Sequence, residues 1–194
     1  KILSKFNNVE ILCTGKNLGY GGGNNFGIKT VKTDYILILN PDVICGEDFF
    51  KNLSNVIEEN KNFTIIGCQY LQDKVFMPAG FFDNKENEEF TKCFKNDEIN
   101  DLAKVDWVTG CSMLLNLNKF DNKKIFDENF FLYFEEFDLC KSLKRKGGEV
   151  YSSKKLKIHH LGFKSSFEEN FNHRKGINRL REWHWMWSSF YFYK

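Results

Sequence analysis

Asp42 is the first residue whose type and position indicate chemistry. It closes the segment Asn40-Pro41-Asp42, which directly follows the apolar run YILIL at residues 35–39. A buried strand that stops in this way presents polar groups at its carboxyl end, where open α/β sheets bind ligands. The Asp42 carboxylate is a hard oxygen ligand of the kind that Mg²⁺ and Mn²⁺ prefer. A proline-containing turn, in which Asp42 hydrogen-bonds its own backbone, is the alternative interpretation.

Glu136 is the second candidate, and it lies in the segment EEFD at residues 135–138. On a helix over residues 132–146 it shares one stripe with Leu139, Cys140 and Leu143, and this stripe is expected to be buried. The helix dipole favours an anion near the first turn. An ionised carboxylate held in place is also what a general base requires. An acidic first turn that only caps the helix is the alternative.

His159 and His160 form the third candidate, because they end a predicted strand just before a Leu-Gly turn. A neutral imidazole in this position can bind a metal ion. A histidine pair in the core or on the surface, with no ligand, is the alternative.

A segment rich in Gly and Asn, NLGYGGGNNFG at residues 17–27, is the fourth candidate. It follows a predicted strand and leads into a predicted helix, where phosphate groups are commonly bound. The dinucleotide fingerprint would require glycine at position 24, where Asn24 stands, and the Gly-Lys-Ser/Thr of a P-loop is missing. The sequence therefore disfavours a Rossmann dehydrogenase.

The elements that must position these residues alternate along the chain. Strands are predicted over residues 9–13, 35–39 and 63–70, with a loop over 14–25, a helix over 26–32 and a helix that opens near Asp48. This order predicts an α/β fold with a mostly parallel sheet. Residues 71–104 are predicted to be a surface excursion. Strand character resumes over 105–115, 150–151 and 156–159, and helices are predicted over 132–146 and 178–194.

Composition narrows the class of protein. The 194 residues are 42% hydrophobic and 28% charged, which is typical of one soluble globular domain. The net charge of +2 gives no support for a nucleic-acid partner. Six cysteines without a CxxC pair or zinc-finger spacing indicate buried thiols in a reducing, cytoplasmic compartment. The sequence contains no run of about 18 apolar residues, so it predicts no membrane-spanning helix.

Taken in order, five segments closely resemble those of glycosyltransferase family 2. They are NLGYGGGNNFGI, DYILILNPDV, DWVTGCSMLL, FDENFFLYFEEFDLCKSLKRKGG and HHLGFKSS. The best match is the rhamnosyltransferase-like branch that acts on bacterial surface polysaccharides, and it extends over about residues 9–166. The resemblance implies a GT-A fold, which is a Rossmann-like α/β sheet that binds a nucleotide-sugar and a divalent metal. We expect a single, partial GT-A domain over residues 1–194.

The resemblance also implies a role for each candidate residue. Asp42 would bind the Mg²⁺ or Mn²⁺ ion that bridges the donor diphosphate, and His160 would be a second metal ligand, with His159 ranked below it. Asn40, where the family often has Asp, would contact the donor sugar or ribose. Glu136 would be the catalytic base at a position that is usually Asp.

Two further groups of residues match donor-binding segments of the family. They are Asn17, Gly19 and Asn25 in the donor loop, and Trp107, Thr109 and Gly110 between the donor and acceptor sites.

These roles imply inverting, metal-dependent transfer of a sugar from a nucleotide-sugar to a hydroxyl of a glycan or lipid-linked acceptor in surface polysaccharide biosynthesis. A sugar nucleotidyltransferase is one alternative, and a non-catalytic nucleotide-sugar-binding fragment is another. Family members begin with two further strands, so the chain is expected to be a fragment of a longer protein, marginally stable and inactive alone. It is also expected to stop within its last helix.

The last predicted helix, at residues 178–194, is rich in aromatic residues, with Leu180, Trp183, Trp187 and Phe190 partly on one side. These side chains are expected to pack against the core. The alternative is that they lie on the inner face of a membrane, because Trp and Tyr concentrate at membrane interfaces.

Overall fold

The computed structural model describes residues 6–72, 75–77, 79–95, 101–161 and 171–194. In chain order, their helices and strands are α1 (Gly19–Ile28), β1 (Tyr35–Leu39), β2 (Val43–Cys45), α2 (Phe49–Glu59), β3 (Ile65–Gln72), β4 (Val75–Met77), α3 (Asn84–Lys95), β5 (Leu102–Lys104), β6 (Ser112–Asn116), a 3₁₀ turn (Leu117–Lys119), α4 (Glu135–Arg145), β7 (Val150–His160) and α5 (Phe171–Tyr193).

The described strands form one mixed sheet. Its order is β1-β6-β3-β7-β2, with β4 added to β3 and β5 added to β7. Within these strands, β3 and β7 form a parallel pair and the other pairings are antiparallel. The predicted α/β class is therefore correct, whereas the prediction of a mostly parallel sheet is wrong.

The position of β6 explains this correction. The β1-α2-β3 unit keeps β1 and β3 in the same direction, as the sequence predicts, but β6 lies antiparallel between them. Met113 of β6 pairs with Ile38 of β1 on one side and with Gly67 of β3 on the other. The sequence of β6, SMLLN, is buried throughout, as expected of a central strand.

The two faces of the sheet carry separate hydrophobic clusters. Ile65, Met113 and Leu115 lie in one cluster, and α1 and α4 contribute residues to it. Ile66 and Leu114 lie in the other cluster, to which α2 contributes. Because neighbouring residues of a strand point to opposite faces, β3 and β6 supply both layers of the core.

Several helices and strands begin or end at other residues than the sequence predicts. Residues 9–13 belong to no strand, and the side chains of Val9, Ile11 and Leu12 are exposed because no described strand pairs with them. Helix α1 begins at Gly19, within the predicted loop. Strand β6 begins at Ser112, seven residues later than the prediction.

The remaining differences concern residues 71–104 and 150–160. The predicted surface excursion contains β4, α3 and β5. The two short strands predicted after residue 150 form the single strand β7. Its pairing with β3 shifts register between Ser153 and Lys157, and this irregularity coincides with the predicted gap.

Helix α5 packs against the domain, but through a different face from the predicted stripe. His184 and Ser188 are buried, whereas Leu180, Trp183, Trp187 and Phe190 are exposed. Within the described residues, no helix has the length and apolar character needed to cross a membrane.

Candidate active site

One cleft is lined by five of the ten predicted site residues. The ends of β1 and β7 lie at the same edge of the sheet, and β6 begins there because it runs antiparallel to both. The N–H of Asn40, just after β1, donates a hydrogen bond to the carbonyl of Cys111, just before β6, at 2.9 Å. The cleft has a volume of about 320 Å³ and is lined by Tyr20, Asn40, Thr109, Gly110, Cys111, Leu132, Tyr133, Glu135, Glu136 and His160.

Asp42 and His160 lie together because β2 pairs with the end of β7. Val43 is opposite His160 in this antiparallel pair, and the N–H of Leu161 donates to the carbonyl of Asp42 at 2.9 Å. The Oδ1 atom of Asp42 is 3.3 Å from Nε2 of His160. The side chain of Asp42 is largely buried, with 8% of the residue exposed.

The chemistry of this pair fits a divalent metal ion. Oδ1 of Asp42 is buried and accepts no hydrogen bond from the described residues. A buried acceptor without a donor calls for an explanation, and a cation is one that satisfies it. A carboxylate oxygen and an imidazole nitrogen can both serve as ligands of Mn²⁺ or Mg²⁺. No group of three or more His, Cys, Asp or Glu that could hold a metal ion occurs in the part of the chain described.

Glu135 and Glu136 begin α4, and both line the cleft. Burial raises the pKa of Glu136, although N–H donors from its own backbone and from Gly110 oppose the shift. Burial also raises the pKa of Glu135, and the neighbouring Glu136 charge raises it further. Oε1 of Glu135 accepts no hydrogen bond from the described residues. The pair therefore holds a proton readily. Each carboxyl group also has two backbone N–H donors that favour its anion, from Glu135 and Tyr133 for Glu135 and from Glu136 and Gly110 for Glu136.

The backbone that leads into α4 is unusual. Tyr133 and Phe134 have φ values of 71° and 68°, which is the left-handed region that side chains rarely adopt. Such residues cost about 1–3 kcal/mol each and need support from their surroundings. The support comes from α5, where the ring of Trp185 lies 5.4 Å from that of Tyr133 and 5.1 Å from that of Phe134. Helix α5 therefore helps to position Glu135 and Glu136.

Tyr20 is a residue of the cleft that the sequence did not single out. Its hydroxyl donates a hydrogen bond to the carbonyl of Gly110. Burial raises its pKa well above the usual value, so the hydroxyl keeps its proton. Gly110 in turn donates its N–H to Glu136. An aromatic residue between Gly19 and Gly21 was the only sequence feature that pointed to it.

Asn25, from the predicted donor loop, lies outside the cleft lining. It is 0% exposed. Its Oδ1 accepts from the N–H groups of Ile125 and Phe126, and its Nδ2 donates to the carbonyl of Phe126 and to Glu128. Because these hydrogen bonds use the whole amide, Asn25 joins α1 to the 125–128 segment. Its contact with a donor stays a prediction.

Other predicted residues also lie outside the cleft lining. Asn17 is exposed and accepts the N–H of Gly19 at 3.0 Å. Gly19 has φ +72°, and a Cβ there would clash with the Phe131 carbonyl.

The indole of Trp107 donates to the carbonyl of Phe81 at 3.1 Å. His159 is exposed and pairs with Ile44. Of the predicted donor residues, Asn40, Thr109 and Gly110 line the cleft.

Comparison with known proteins adds an independent line of observation. Residues 1–136 match the sequence profile of the family described as "Glycosyl transferase family 2". The low-salt glycan biosynthesis hexosyltransferase Agl10 of Haloferax volcanii is 27% identical over 147 residues, which are 71% of this chain and 47% of Agl10. The rhamnosyltransferase WbbL of Escherichia coli is 25% identical over 186 residues, which are 86% of this chain and 67% of WbbL.

A solved structure supplies the fold comparison. The crystal structure of GalNAc-T7 with UDP, GalNAc and Mn²⁺ superimposes with a TM-score of 0.55 at 9% identity, and covers 79% of this chain and 32% of GalNAc-T7. The chain spans about half the length of Agl10 and about two thirds of WbbL.

Proposed function

Because the chain belongs to glycosyltransferase family 2 and has a GT-A fold, we propose that it transfers a sugar from a nucleotide-sugar to an acceptor hydroxyl. The observation that carries the proposal is the cleft itself, which is lined by both Glu136 and His160, with Oδ1 of Asp42 3.3 Å from Nε2 of His160. A base on one side and a cation site on the other are the two groups that this reaction requires.

Glu136 is proposed to be the base. Its carboxylate takes the proton of the acceptor hydroxyl while the acceptor oxygen forms a bond to the anomeric carbon. The bond from that carbon to the diphosphate oxygen breaks, and the nucleoside diphosphate leaves with the electron pair. A single displacement of this kind inverts the anomeric configuration. The raised pKa of Glu136 makes it a stronger base than an exposed glutamate.

Asp42 and His160 are proposed to hold a divalent ion, Mg²⁺ or Mn²⁺. When bound, the ion supplies positive charge that stabilises the leaving diphosphate. Oδ1 of Asp42, which is 3.3 Å from Nε2 of His160 and accepts no hydrogen bond from the described residues, supports this assignment. The GalNAc-T7 structure, which shares the fold, contains UDP and Mn²⁺.

Asn40, Thr109 and Gly110 line the cleft and are proposed to contact the donor. The same role for Asn17, Gly19, Asn25 and Trp107 remains a prediction. The names of Agl10 and WbbL support a hexose or rhamnose as the sugar and a glycan as the product. A glycan or lipid-linked acceptor, a place in bacterial surface polysaccharide biosynthesis and a location at the cytoplasmic face of the membrane belong to this proposal.

The first prediction tests Glu136 directly. In the full-length protein, Glu136→Gln keeps the shape of the side chain but removes its basicity. Transfer from a panel of UDP- and dTDP-sugars should fall by a factor of about 10² or more, while donor binding in calorimetry should be retained. Asp138→Asn, two residues further along α4, is the matched control and should stay active.

Three results would contradict the proposed base or the proposed activity. Full transfer by Glu136→Gln would mean that another group is the base. Release of pyrophosphate in place of a nucleoside diphosphate would favour a sugar nucleotidyltransferase, and donor binding with no turnover by the full-length protein would favour a binding module.

A further inference from the structure

Helix α5 presents a row of large apolar side chains to solvent. We define its outer face as Leu180, Trp183, Met186, Trp187 and Phe190, which lie on one side of the helix by their spacing. All five are exposed, with Met186 at 63% and Phe190 at 65%. The rings of Trp183 and Trp187 stack on each other with centroids 6.2 Å apart. A contiguous exposed patch of this kind marks an interaction site.

The opposite face of α5 fixes this orientation. The ring of His184 stacks on Phe131 with centroids 4.7 Å apart. Ser188 is fully buried and donates its hydroxyl to the carbonyl of Leu132 at 2.9 Å. The ammonium of Lys141 lies 4.0 Å from the centre of the Phe192 ring. Because these contacts hold the inner face against the domain, the outer face cannot turn inward to bury its tryptophans.

The charge of residues 171–194 indicates the kind of partner. The basic residues at 171–194 are Arg174, Lys175, Arg179, Arg181 and Lys194, and the one acidic residue is Glu182. The whole chain carries only +2, so the remainder of the chain is net acidic. Positive charge is thus concentrated in the helix that also exposes the tryptophans.

We propose that the outer face of α5 binds the surface of a lipid bilayer that carries anionic headgroups. Tryptophan is enriched where one side of a ring meets hydrocarbon and the other meets water. A helix with bulky apolar residues on one side and Arg or Lys beside them lies in the plane of such an interface. Each basic residue adds attraction to anionic lipid. A second copy of the chain fits less well, because two basic helices would repel each other.

The site of attachment has a consequence for the cleft. The inner face of α5 contacts residues 131–134, which lead directly into Glu135 and Glu136. Binding through the outer face would therefore hold the cleft beside the bilayer. This consequence rests on the proposed transfer to a lipid-linked acceptor, whereas the binding itself does not, and a binding assay separates the two.

Flotation of the full-length protein with vesicles tests the proposal. The protein should float with phosphatidylcholine vesicles that contain phosphatidylglycerol, and tryptophan emission should shift to the blue. Added salt should weaken this binding because it screens the headgroup charge. The triple variant Trp183→Ser, Trp187→Ser, Phe190→Ser should bind at least about tenfold more weakly, and Arg179→Glu about fivefold more weakly.

Phe50→Ser is the matched control, because Phe50 is equally exposed on α2. It should bind as the unchanged protein does, and circular dichroism should confirm that every variant is folded. Absence of binding to the anionic vesicles, or equal binding by the triple variant, would overturn the proposal. So would a dimer in sedimentation that the triple variant converts to a monomer, because the face would then join two copies.

Discussion

Asp42 and His160 depend on strand register for their proximity. The residue next to His160 in the chain does not share this position, because successive side chains of a strand point to opposite sides. His160 lines the cleft, and His159, one residue earlier, is exposed opposite Ile44. The two histidines therefore differ in environment although they are neighbours in the chain.

The second prediction uses this difference. Metal-free full-length protein should bind Mn²⁺, as followed by electron paramagnetic resonance, and His160→Gln should weaken binding by about tenfold or more, which corresponds to about 1.4 kcal/mol. His159→Gln should leave binding unchanged. Equal losses in both variants, or a loss in His159→Gln alone, would show that the ion is held elsewhere.

Asn25 and Asn40 show where prediction from sequence ends at this scale. Both are asparagines in segments that resemble donor-binding motifs. Only Asn40 lines the cleft, because the amide of Asn25 is taken up by backbone groups at positions 125 and 126, about 100 residues away in the chain. Local sequence reveals the residue type at a motif position, but not whether a distant segment already uses its hydrogen bonds.

At the scale of single elements, α1 is the clearest case of tertiary structure overriding propensity. Its sequence, GYGGGNNFGI, contains five glycines, and glycine is a poor helix former. The helix is stabilised from outside, because Asn25 bonds the 125–128 segment and the N–H of Tyr20 donates to the carbonyl of Phe131 at 3.1 Å. Those contacts are absent from the local pattern, which is why a loop was predicted.

The third prediction compares two glycines of α1. Gly19→Ala should destabilise the protein by about 2 kcal/mol or more, because it combines a positive φ with a clash against the Phe131 carbonyl. Gly23→Ala should stabilise it by up to about 1 kcal/mol, because Gly23 is helical, exposed and has open space around it. Urea denaturation measures both. Similar effects of the two substitutions would contradict the docking of α1 on residues 126–131.

The fourth prediction concerns the start of α4. Burial raises the pKa of Glu135 and Glu136 above the ordinary value of 4.5, so the folded state binds more protons than the unfolded state above that pH. The free energy of unfolding should therefore fall as pH rises, with a slope of up to about 1.4 kcal/mol per pH unit for one proton.

Denaturation by urea between about pH 5 and about pH 8 in metal-free buffer measures this slope. Glu135→Gln should make it shallower, because the amide cannot ionise. Glu149→Gln is the control: the pKa of Glu149 is lowered by Lys104 and Tyr151, so its contribution is lost only as pH falls below the ordinary value. An unchanged slope in Glu135→Gln would mean that this carboxyl group is not buried as described.

At the scale of the whole molecule, the order of motifs predicted more than any single motif. Asn40-Pro41-Asp42, Glu136 and His160 each had a plain structural alternative, yet their sequence order resembled one family, and the family and the GT-A fold are confirmed. The pairing of strands could not be obtained in this way. Whether β6 inserts between β1 and β3 depends on the docking of distant segments, and an apolar run such as MLL is compatible with either direction.

The fifth prediction concerns cooperativity across the sheet. Cys140 belongs to one hydrophobic cluster, and Cys68 and Cys111 belong to the other. Burial raises the pKa of these thiols to about 12 for Cys68 and Cys140 and to about 11 for Cys111, whereas Cys13 is exposed. Since the thiolate is the reactive form, iodoacetamide should label Cys13 quickly and the buried thiols only when the protein opens.

If β3 and β6 unite both clusters in one cooperative unit, Cys68 and Cys140, one from each cluster, should react at a single rate in the folded protein. Mass spectrometry of labelled peptides measures each rate, and labelling in urea provides the reference for free access. Faster reaction of Cys140 than of Cys68 would mean that α4 detaches from the sheet while the other face stays packed. In that case Glu135 and Glu136 would move as a unit separate from Asp42 and His160, and the cleft would form only when the two parts are closed.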